Sequence, residues 1–490
     1  MIALSLAEIA ALTGGTVTGA DPGTRVTGPV VIDSRQAGAG ALFAAVAGER
    51  VDGHDYAAAA IGRGAVAALA SRPLDAVPVI VVPDVMMALA RLARGVVTRL
   101  QAPPGAAGGL SVAGITGSSG KTSTKDLTAQ LCEAMGATVA PEASLNNELG
   151  VPLTALRATE GTRFLVLEMA ARGVGHIGFL CDIARPRIGA VLNVGRAHAG
   201  EFGSLETVAK AKGELVEALP AASAGGVAVL NADDPRVIAM ADRTDARVVT
   251  YSAAPRGRGG IREHGLREPS AREADVRAAE VLLDDLGRAS FRLVMPGGIA
   301  PVRLRLHGAH HVSNSLAAAA IAAELGMEVP AIADALSRAT ARTGKRMEVT
   351  ERPDGVLVIN DAYNANPDSM RAGIEALGHM ISRGRRGIAV LGHMAELGEI
   401  DAASHAEAGE QAARAGAAIV IAVGPQARPV LAGARAQPGW AGSAVSVPDA
   451  AAAVQVLRNE LRPRDVVLVK ASKAAGLWEV ADGLLTEVDR

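Results

Sequence analysis

Gly117, Ser118, Ser119, Gly120, Lys121, Thr122 and Ser123 form one run, TGSSGKTS, between an apolar stretch and a helix-compatible one. Such a run suits a triphosphate. Glycines let backbone N–H groups close on phosphate oxygens, and a helix beginning there turns its positive dipole end toward them. Lys121 supplies a compact cation for the β- and γ-phosphates, and the Thr122 hydroxyl a ligand for Mg²⁺. The turn is a shortened variant of the P-loop, because the first glycine of the full pattern falls at position 115, where the chain has Ile115. A Gly/Ser turn with a chance lysine is the competing reading. The strand before and the helix after argue against it.

Glu168 ends the apolar run FLVLE, and His198 lies just past AVLNV. Ligands of an open parallel sheet collect outside the carboxyl ends of its strands, so Thr122, Glu168 and His198 are expected to converge on one metal–phosphate site. Carboxylate is an ordinary ligand for Mg²⁺ and imidazole a less usual one. Lysine usage is a second pointer. Of 49 Lys and Arg residues only seven are lysine, at 121, 125, 210, 212, 345, 470 and 473. Where arginine can serve, the chain uses arginine. The retained lysines then mark positions that want a compact ammonium or an amine able to lose its proton. Lys210 and Lys212 follow His198 on a helix, where a solvated face is the ordinary reading. His310, His311 and Asn314 precede the Ala-rich helical run Ser315–Leu325. A polar N-terminus there can face a nucleotide, or Ser313 or Asn314 can cap the helix. TGKRMEV (343–349) and NDAYNANPDSM (360–370) set Arg346, Asp361, Tyr363 and Asn364 beside strands, although turn chemistry accounts for Asn-Ala-Asn-Pro equally well in isolation.

These residues need a frame of parallel strands. Strand-like segments at Leu110–Ile115, Arg163–Glu168, Ile188–Val194 and Gly226–Asn231 alternate with helix-length segments, which predicts βαβ units. Period-2 alternation in Ala289–Val294 and Val302–Leu306 predicts an antiparallel appendage. Val356–Asn360, Gly387–Leu391, Ala418–Val423 and Asp465–Val469 alternate with Ala-rich helices and predict a second doubly wound sheet. Residues 1–100 mix short strands (Val30–Ile32, Val79–Val82) with helical stretches such as Tyr56–Gly62. QAPPGAAGG (101–109) reads as a linker, and the polar segment 254–273 as an exposed loop.

A chain of 490 residues is long enough for about three domains. Its 49% hydrophobic content comes with only 2% aromatics, so the cores must be built from Ala, Val, Leu and Ile. A net charge of −2 gives no electrostatic case for nucleic acid or a membrane surface. Cys132 and Cys181 lack metal-ligand spacing and suggest a reducing compartment. MIALSLAEIA has no basic start and carries Glu8, unlike a signal peptide, and no apolar run reaches a bilayer-spanning length. A cytoplasmic monomer without membrane insertion is expected.

The motifs TGSSGKTS, LNNELGVPLT (145–154), LEM (167–169), AHAGEFGSLETVAKAKGEL, HHVSN, GKRMEV, NDAYNANPDSM and VLGHMAELGE (390–399) together resemble the Mur ligases. Within that family they are similar to the members that attach D-alanyl-D-alanine to a UDP-N-acetylmuramoyl-tripeptide (UDP-MurNAc-tripeptide). VIDSRQAGAGALFAAVAGERVDGHDY (31–56) is similar to the family's nucleotide-sugar-binding segment, so the resemblance covers nearly the whole chain. It implies an α/β protein of three domains: 1–106, binding the UDP-sugar peptide; 107–342, a P-loop ATPase with a parallel sheet; and 343–490, a Rossmann-like doubly wound domain.

The implied reaction is ATP-dependent amide formation through an acyl phosphate, giving the UDP-MurNAc-pentapeptide precursor of peptidoglycan. The implied cofactors are ATP, Mg²⁺ and a CO₂-derived carbamate on Lys212, an anion that arginine could not become. Thr122 and Glu168 match a first metal position and His198 a second. Asn314, Arg346 and Asp361 match contacts to adenine, phosphate and ribose. Ser34 and Arg35 match contacts to the UDP-sugar, and Asn146, Asn147, Tyr363 and Asn364 are carried over as further substrate contacts. The chain departs from the family at His393, where Asp is usual, and at Ala471-Ser472-Lys473, where Gly-Ser-Arg is common. Both departures bear on the acceptor and nucleotide pockets. A family member adding a diamino acid, a folate polyglutamate synthase and a non-ligating P-loop switch remain as alternatives. Diaminopimelate and lysine are both compatible as the third residue of the peptide.

Overall fold

The run SVAGIT is apolar on both faces, as a strand covered on both sides must be. In the computed structural model it forms Ser111–Thr116, inside a sheet of nine strands. The structure is described over residues 1–48, 51–101, 108–195, 203–254 and 273–486. The sheet runs Gly298–His307, Arg288–Met295, Val276–Leu283, Arg247–Ser252, Val227–Asn231, Ile188–Val191, Ser111–Thr116, Phe164–Glu168, Thr138–Val139. Strands from Val276–Leu283 to Thr138–Val139 pair in parallel, and the first three pair antiparallel; alternation predicts the first two of these, and Val276–Leu283 is a strand the sequence did not mark. Ser111–Thr116 lies between Phe164–Glu168 and Ile188–Val191. The phosphate turn and Glu168 therefore leave the same edge.

Two expectations change. Ile188–Val194 stops as a strand at Val191, because the next residues serve another purpose. Asn231 Nδ2 donates to the Leu192 carbonyl (2.8 Å), and Val194 N–H donates to Asp234 (2.8 Å). The Ala-rich helix begins at His310, not Ser315, and runs His310–Glu324. His310, His311, Ser313 and Asn314 are therefore inside its first turns. Its N-cap position is Ala309, which has no capping side chain, so neither Ser313 nor Asn314 caps it. The stretches 102–107 and 255–272, most of the expected linker and exposed loop, lie outside the described residues.

The last part of the chain forms a six-stranded sheet, Glu348–Glu351, Leu357–Asp361, Val466–Lys470, Gly387–Leu391, Ile419–Val423, Ser443–Val447, parallel except at Glu348–Glu351. Alternate residues of its strands enter different apolar clusters, Leu357 and Ile359 in one and Val358 in the other. Helices cover both faces, as double winding requires. The first part of the chain has a five-stranded sheet, Thr16–Thr18, Val79–Val81, Ala67–Ala70, Leu42–Ala44, Val30–Val31. Its helix Val85–Leu100 packs on Gly150–Ala155 and His176–Ala184 beside the central sheet. Leu89, Leu92 and Val96 thereby join one cluster with Leu165 and Leu167.

Asp361 and Lys470 are register partners at the carboxyl edge of the last sheet. Lys470 is buried; its Nζ bonds the Asp361 carboxylate and the Asn364 carbonyl (3.3 Å). Removing one member of a buried pair strands the other charge. Lys470→Met should therefore lower unfolding free energy by about 3 kcal/mol. Lys470→Met with Asp361→Leu should recover most of that loss. Urea melts of the single and double variants check both.

Candidate functional site

Helix Lys121–Glu133 starts from Gly120, which sits at φ +80° with no side chain capping the first amides. A Cβ on Gly120 would lie 2.5 Å from Asn314 Oδ1, so the close approach as well as the dihedral demands glycine. The turn is braced from the neighbouring strand end. Ser118 N–H donates to the Asn193 carbonyl (3.1 Å) and Ser119 N–H to Asn193 Oδ1 (2.9 Å). This bracing is why Val191 ends its strand. Lys121 Nζ folds back onto the Gly117 carbonyl (2.7 Å) and toward that of Ser118 (3.4 Å). Burial lowers its pKa and Arg346 adds to this, while Glu168 opposes them.

The Thr122 hydroxyl donates to Glu168 Oε2 (2.8 Å), and Asn146 Nδ2 donates to Oε1 (2.7 Å). Ser144 Oγ lies 3.1 Å from Thr122 Oγ1. Hydroxyl and carboxylate oxygens at one point are the donor set a hard divalent cation takes. Thr122 and Glu168 meet as expected, whereas His198 lies outside the described residues. Lys212 is buried on helix Leu205–Glu217 while Lys210 is exposed, so the solvated-face reading holds for Lys210 alone. Burial, and then the charge of Lys121, push the Lys212 amine well below its ordinary pKa. Among the described residues its Nζ has no hydrogen-bond partner.

Residues from the last sheet reach this point. Arg346 Nη2 donates to Ser144 Oγ (3.0 Å) and its guanidinium stacks 4.2 Å over Tyr363. The flanking Lys345 and Met347 have φ of +62° and +48°, strained for residues other than glycine, and this holds Arg346 toward the phosphate turn. Asn366 Nδ2 donates to the Ser118 carbonyl (3.4 Å) from the N-cap of helix Pro367–Ser382. Thr343 bonds Asp126 on the P-loop helix through N–H (3.2 Å) and hydroxyl (2.8 Å). A cavity of about 250 Å³ opens between the two sheets, lined by Ser123, Asp126, His307, His311, Arg346 and Met347 among others. Near it, His311 Nδ1, Asn314 Nδ2 and Arg346 Nε are buried without a hydrogen-bond partner among the described residues. Such orphaned donors and acceptors call for an absent polar ligand.

Other expected residues lie apart or have local roles. Asp361 accepts from Met347 N–H (3.1 Å) besides pairing with Lys470. Asn147 Oδ1 accepts from the N–H of Gly150 (2.9 Å), the first residue of a short helix, while Asn364 is exposed beside Tyr363. Ser34 is buried in the turn Ser34–Gln36 of the first sheet. Arg35 is exposed, and its hydrogen bonds hold the Asp33 carboxyl at about 2. No hydrogen bond or ion pair among the described residues joins Ser34 or Arg35 to the phosphate turn. Ser144, Asn193 and Asn366 escaped the sequence reading; only Asn366 had a local signal, as the N-cap of Pro367–Ser382, whereas Ser144 sits mid-loop between Thr138–Val139 and Gly150–Ala155 and Asn193 inside a run that reads as strand.

His393, Asp401 and His405 form a second polar cluster. His405 Nε2 accepts from Met394 N–H (2.9 Å), so its Nδ1 carries the proton and donates to the Asp401 carbonyl (2.8 Å). His393 Nε2 faces Asp401 Oδ1 at 3.3 Å. With both His405 nitrogens engaged, the cluster is a brace for the loop after Leu391 and not a metal centre.

Family models described as "Mur ligase family, catalytic domain", "Mur ligase middle domain" and "Mur ligase, glutamate ligase domain" match residues 29–96, 115–322 and 345–473. The chain is 47% identical to the UDP-N-acetylmuramoyl-tripeptide–D-alanyl-D-alanine ligase of Mycobacterium tuberculosis, covering 99% of this chain and 98% of that protein. It is 34% identical to the protein of that name from Escherichia coli, covering 99% of each. Among solved structures, MurF from Acinetobacter baumannii superposes with a TM-score of 0.84 at 27% identity, covering 100% of this chain and 99% of that one. MurF ligase from Thermotoga maritima in complex with ADP gives 0.78 at 27% identity, covering 95% and 98%.

Two outcomes follow from the site. Lys121→Ala and Lys121→Arg should each abolish stabilisation by ATP with Mg²⁺, because a planar guanidinium does not replace a compact ammonium in a tight turn. Thermal melts with and without nucleotide check this, and a full midpoint rise in the Arg variant contradicts the assignment. Burial also lowers the His310 pKa to about 4 from an ordinary 6.5. The unfolded chain then binds the proton more readily, so the stability held above 6.5 is lost as pH falls toward 4. His310→Gln should flatten that part of a stability–pH curve measured by urea midpoints.

Proposed function

The chain belongs to the Mur ligase family, and on that premise we infer that it joins D-alanyl-D-alanine to a UDP-N-acetylmuramoyl-tripeptide, coupled to cleavage of ATP. The product is the UDP-MurNAc-pentapeptide used for peptidoglycan. One observation carries the reading: Arg346 of the last sheet bonds Ser144, which touches Thr122 of the phosphate turn (3.0 and 3.1 Å). Two sheets thus contribute to one phosphate site, as a reaction joining three substrates requires.

The peptide carboxylate attacks the γ-phosphorus of ATP, and ADP leaves. The dipeptide amine then attacks the acyl-phosphate carbon and loses a proton, and phosphate departs. Carboxylate and triphosphate repel each other, so positive groups must stand where their charges meet. Lys121 and Arg346 supply two, and the free amides after Gly120 a partial third. Thr122 and Glu168 are the residues that would hold Mg²⁺, which neutralises the phosphates when bound. We assign His198, by its motif alone, to a second metal position.

We further propose that Lys212 is carbamylated. CO₂ reacts with a neutral amine, and the burial of Lys212 beside Lys121 disfavours its ammonium. The carbamate would offer hard oxygens to a metal. The cavity beside His311 and Asn314 is the proposed nucleoside site, with Asp361 near the ribose. Ser34, Arg35, Asn146, Asn147, Tyr363 and Asn364 are proposed contacts to the UDP-peptide and acceptor. We divide the chain at 1–106, 107–342 and 343–490 for these tasks. No helix among the described residues is long and apolar enough to cross a membrane. We place the enzyme in the cytoplasm with its nucleotide substrates, and a monomer suffices because one chain supplies every sheet.

The test combines purified protein, ATP, Mg²⁺, UDP-MurNAc-tripeptide and D-alanyl-D-alanine, with pentapeptide followed by mass and ADP by a coupled assay. Pentapeptide and ADP should appear in equal amounts. ATP turnover indifferent to the dipeptide, with no pentapeptide, would favour a nucleotide switch. In the same assay Lys212→Ala should lose on the order of 100-fold in rate and partly recover with added formate or acetate. Lys210→Ala should stay within about twofold, as exposed positions do. Full rate in Lys212→Ala refutes the carbamate.

A further inference from the structure

Three loops meet at the carboxyl edge of the last sheet, after Asp361, after Leu391 and after Lys470. Buried Ser472 pins them together. Its N–H donates to the His393 carbonyl (2.9 Å), its hydroxyl donates to the Ala365 carbonyl (3.2 Å), and Ala395 N–H donates to that hydroxyl (2.8 Å). The next residue, Lys473, is exposed and begins the turn Lys473–Ala475. Its backbone is fixed by these bonds while its ammonium stays open to solvent, 5.8 Å from the ring centre of Tyr363.

The other cations of this edge are engaged. Lys470 pairs with Asp361, and Lys345 lies 4.0 Å over the Trp478 ring. Arg346 stacks on Tyr363 and bonds Ser144. His393 faces the Asp401 carboxylate, which repels a second anion. Among the described residues the ammoniums of Lys473 and Lys345 have no ion pair and no hydrogen bond, but Lys345 is half-buried against Trp478 whereas Lys473 is exposed and on the Tyr363 side. Tyr363, one of only three tyrosines in the chain, stands between Arg346 and Lys473. A line therefore runs from Thr122 through Ser144, Arg346 and Tyr363 to a cation with no anion.

We propose that Lys473 binds the free carboxylate of the acceptor dipeptide, with the Tyr363 ring as the wall of that subsite. The proposal rests on the ligation reading and deepens it. The acceptor is a zwitterion whose amine must sit at the acyl phosphate. Its carboxylate then lies roughly 6 Å farther on, across one peptide unit. An anion brought against an aromatic wall loses hydration and needs a counter-charge. Tyr363 spans that interval, and Lys473 closes it. The enzyme thereby selects acceptors with a free C-terminal carboxylate over neutral ones.

The experiment uses the full chain and compares D-alanyl-D-alanine with its C-terminal amide, measuring KM and kcat for each. Wild type should show a KM for the amide higher by on the order of tenfold or more, the scale of a lost charge-assisted contact. In Lys473→Met the KM for the acid should rise similarly, kcat should change little, and the acid-to-amide preference should fall to about one. Lys473→Arg should keep the preference, and Lys473→Glu should favour the amide. KM values for ATP and the UDP-tripeptide report on folding and should not move. An unchanged preference in Lys473→Met, or none in wild type, overturns the subsite. Failure of wild type to ligate either acceptor instead overturns the ligation reading.

Discussion

A buried carboxylate held by neutral donors organises this molecule. Glu168 ends the central strand Phe164–Glu168 with almost no exposure, and its two oxygens are met by the Thr122 hydroxyl and the Asn146 amide. Burying an anion with only neutral partners is unfavourable unless a cation completes the site. Among the described residues no lysine or arginine forms an ion pair with Glu168. Lys121 feels its charge at longer range, and Lys121 is in turn coupled to Arg346 and Lys212. The site is built to receive charge, and the sheets are arranged to deliver it.

Helix Lys121–Glu133 is the mechanical counterpart of that arrangement. Its first turn faces the phosphate position, and its side holds the segment that enters the last sheet. Asp126 takes Thr343, Gln130 exchanges hydrogen bonds with Thr340 (3.0 and 3.1 Å), and Glu133 pairs with Arg342. The same helix that binds phosphate thus positions Arg346 three residues beyond Thr343. The positive φ angles on both sides of Arg346 persist because these bonds over-determine the backbone there. Phosphate chemistry and placement of the last domain share one element.

Much of the site was legible because its residues obey local rules. Gly117–Thr122 is a turn-and-helix start with one physical use, and Glu168 sits at the end of a run too apolar for anything but a buried strand. Lysine scarcity marked Lys210 and Lys212 alike, and only the fold separates them, burying Lys212 and leaving Lys210 exposed on the same helix. Other residues had no local mark. Ser144 and Asn193 are ordinary in their own segments and matter only because distant strands bring them beside Thr122 and Ser118. The His310–Glu324 boundary was misplaced because His-His-Val-Ser-Asn looks like a polar cap. Its neighbours bury His311 and Asn314 against the P-loop helix and let the helix begin earlier.

Read alone, the chain determined the elements, the parallel sheets and the phosphate turn, since hydrophobic periodicity and glycine placement act over a few residues. The motifs also determined the family. Only the tertiary structure decided which polar groups share a site. Lys470 takes Asp361 as its partner, Ser472 ties three loops together, and Arg346 reaches Ser144 across 202 positions of sequence. Such contacts depend on how sheets dock, and docking is set by the summed burial of many Ala, Val and Leu side chains. No short stretch of sequence carries that sum.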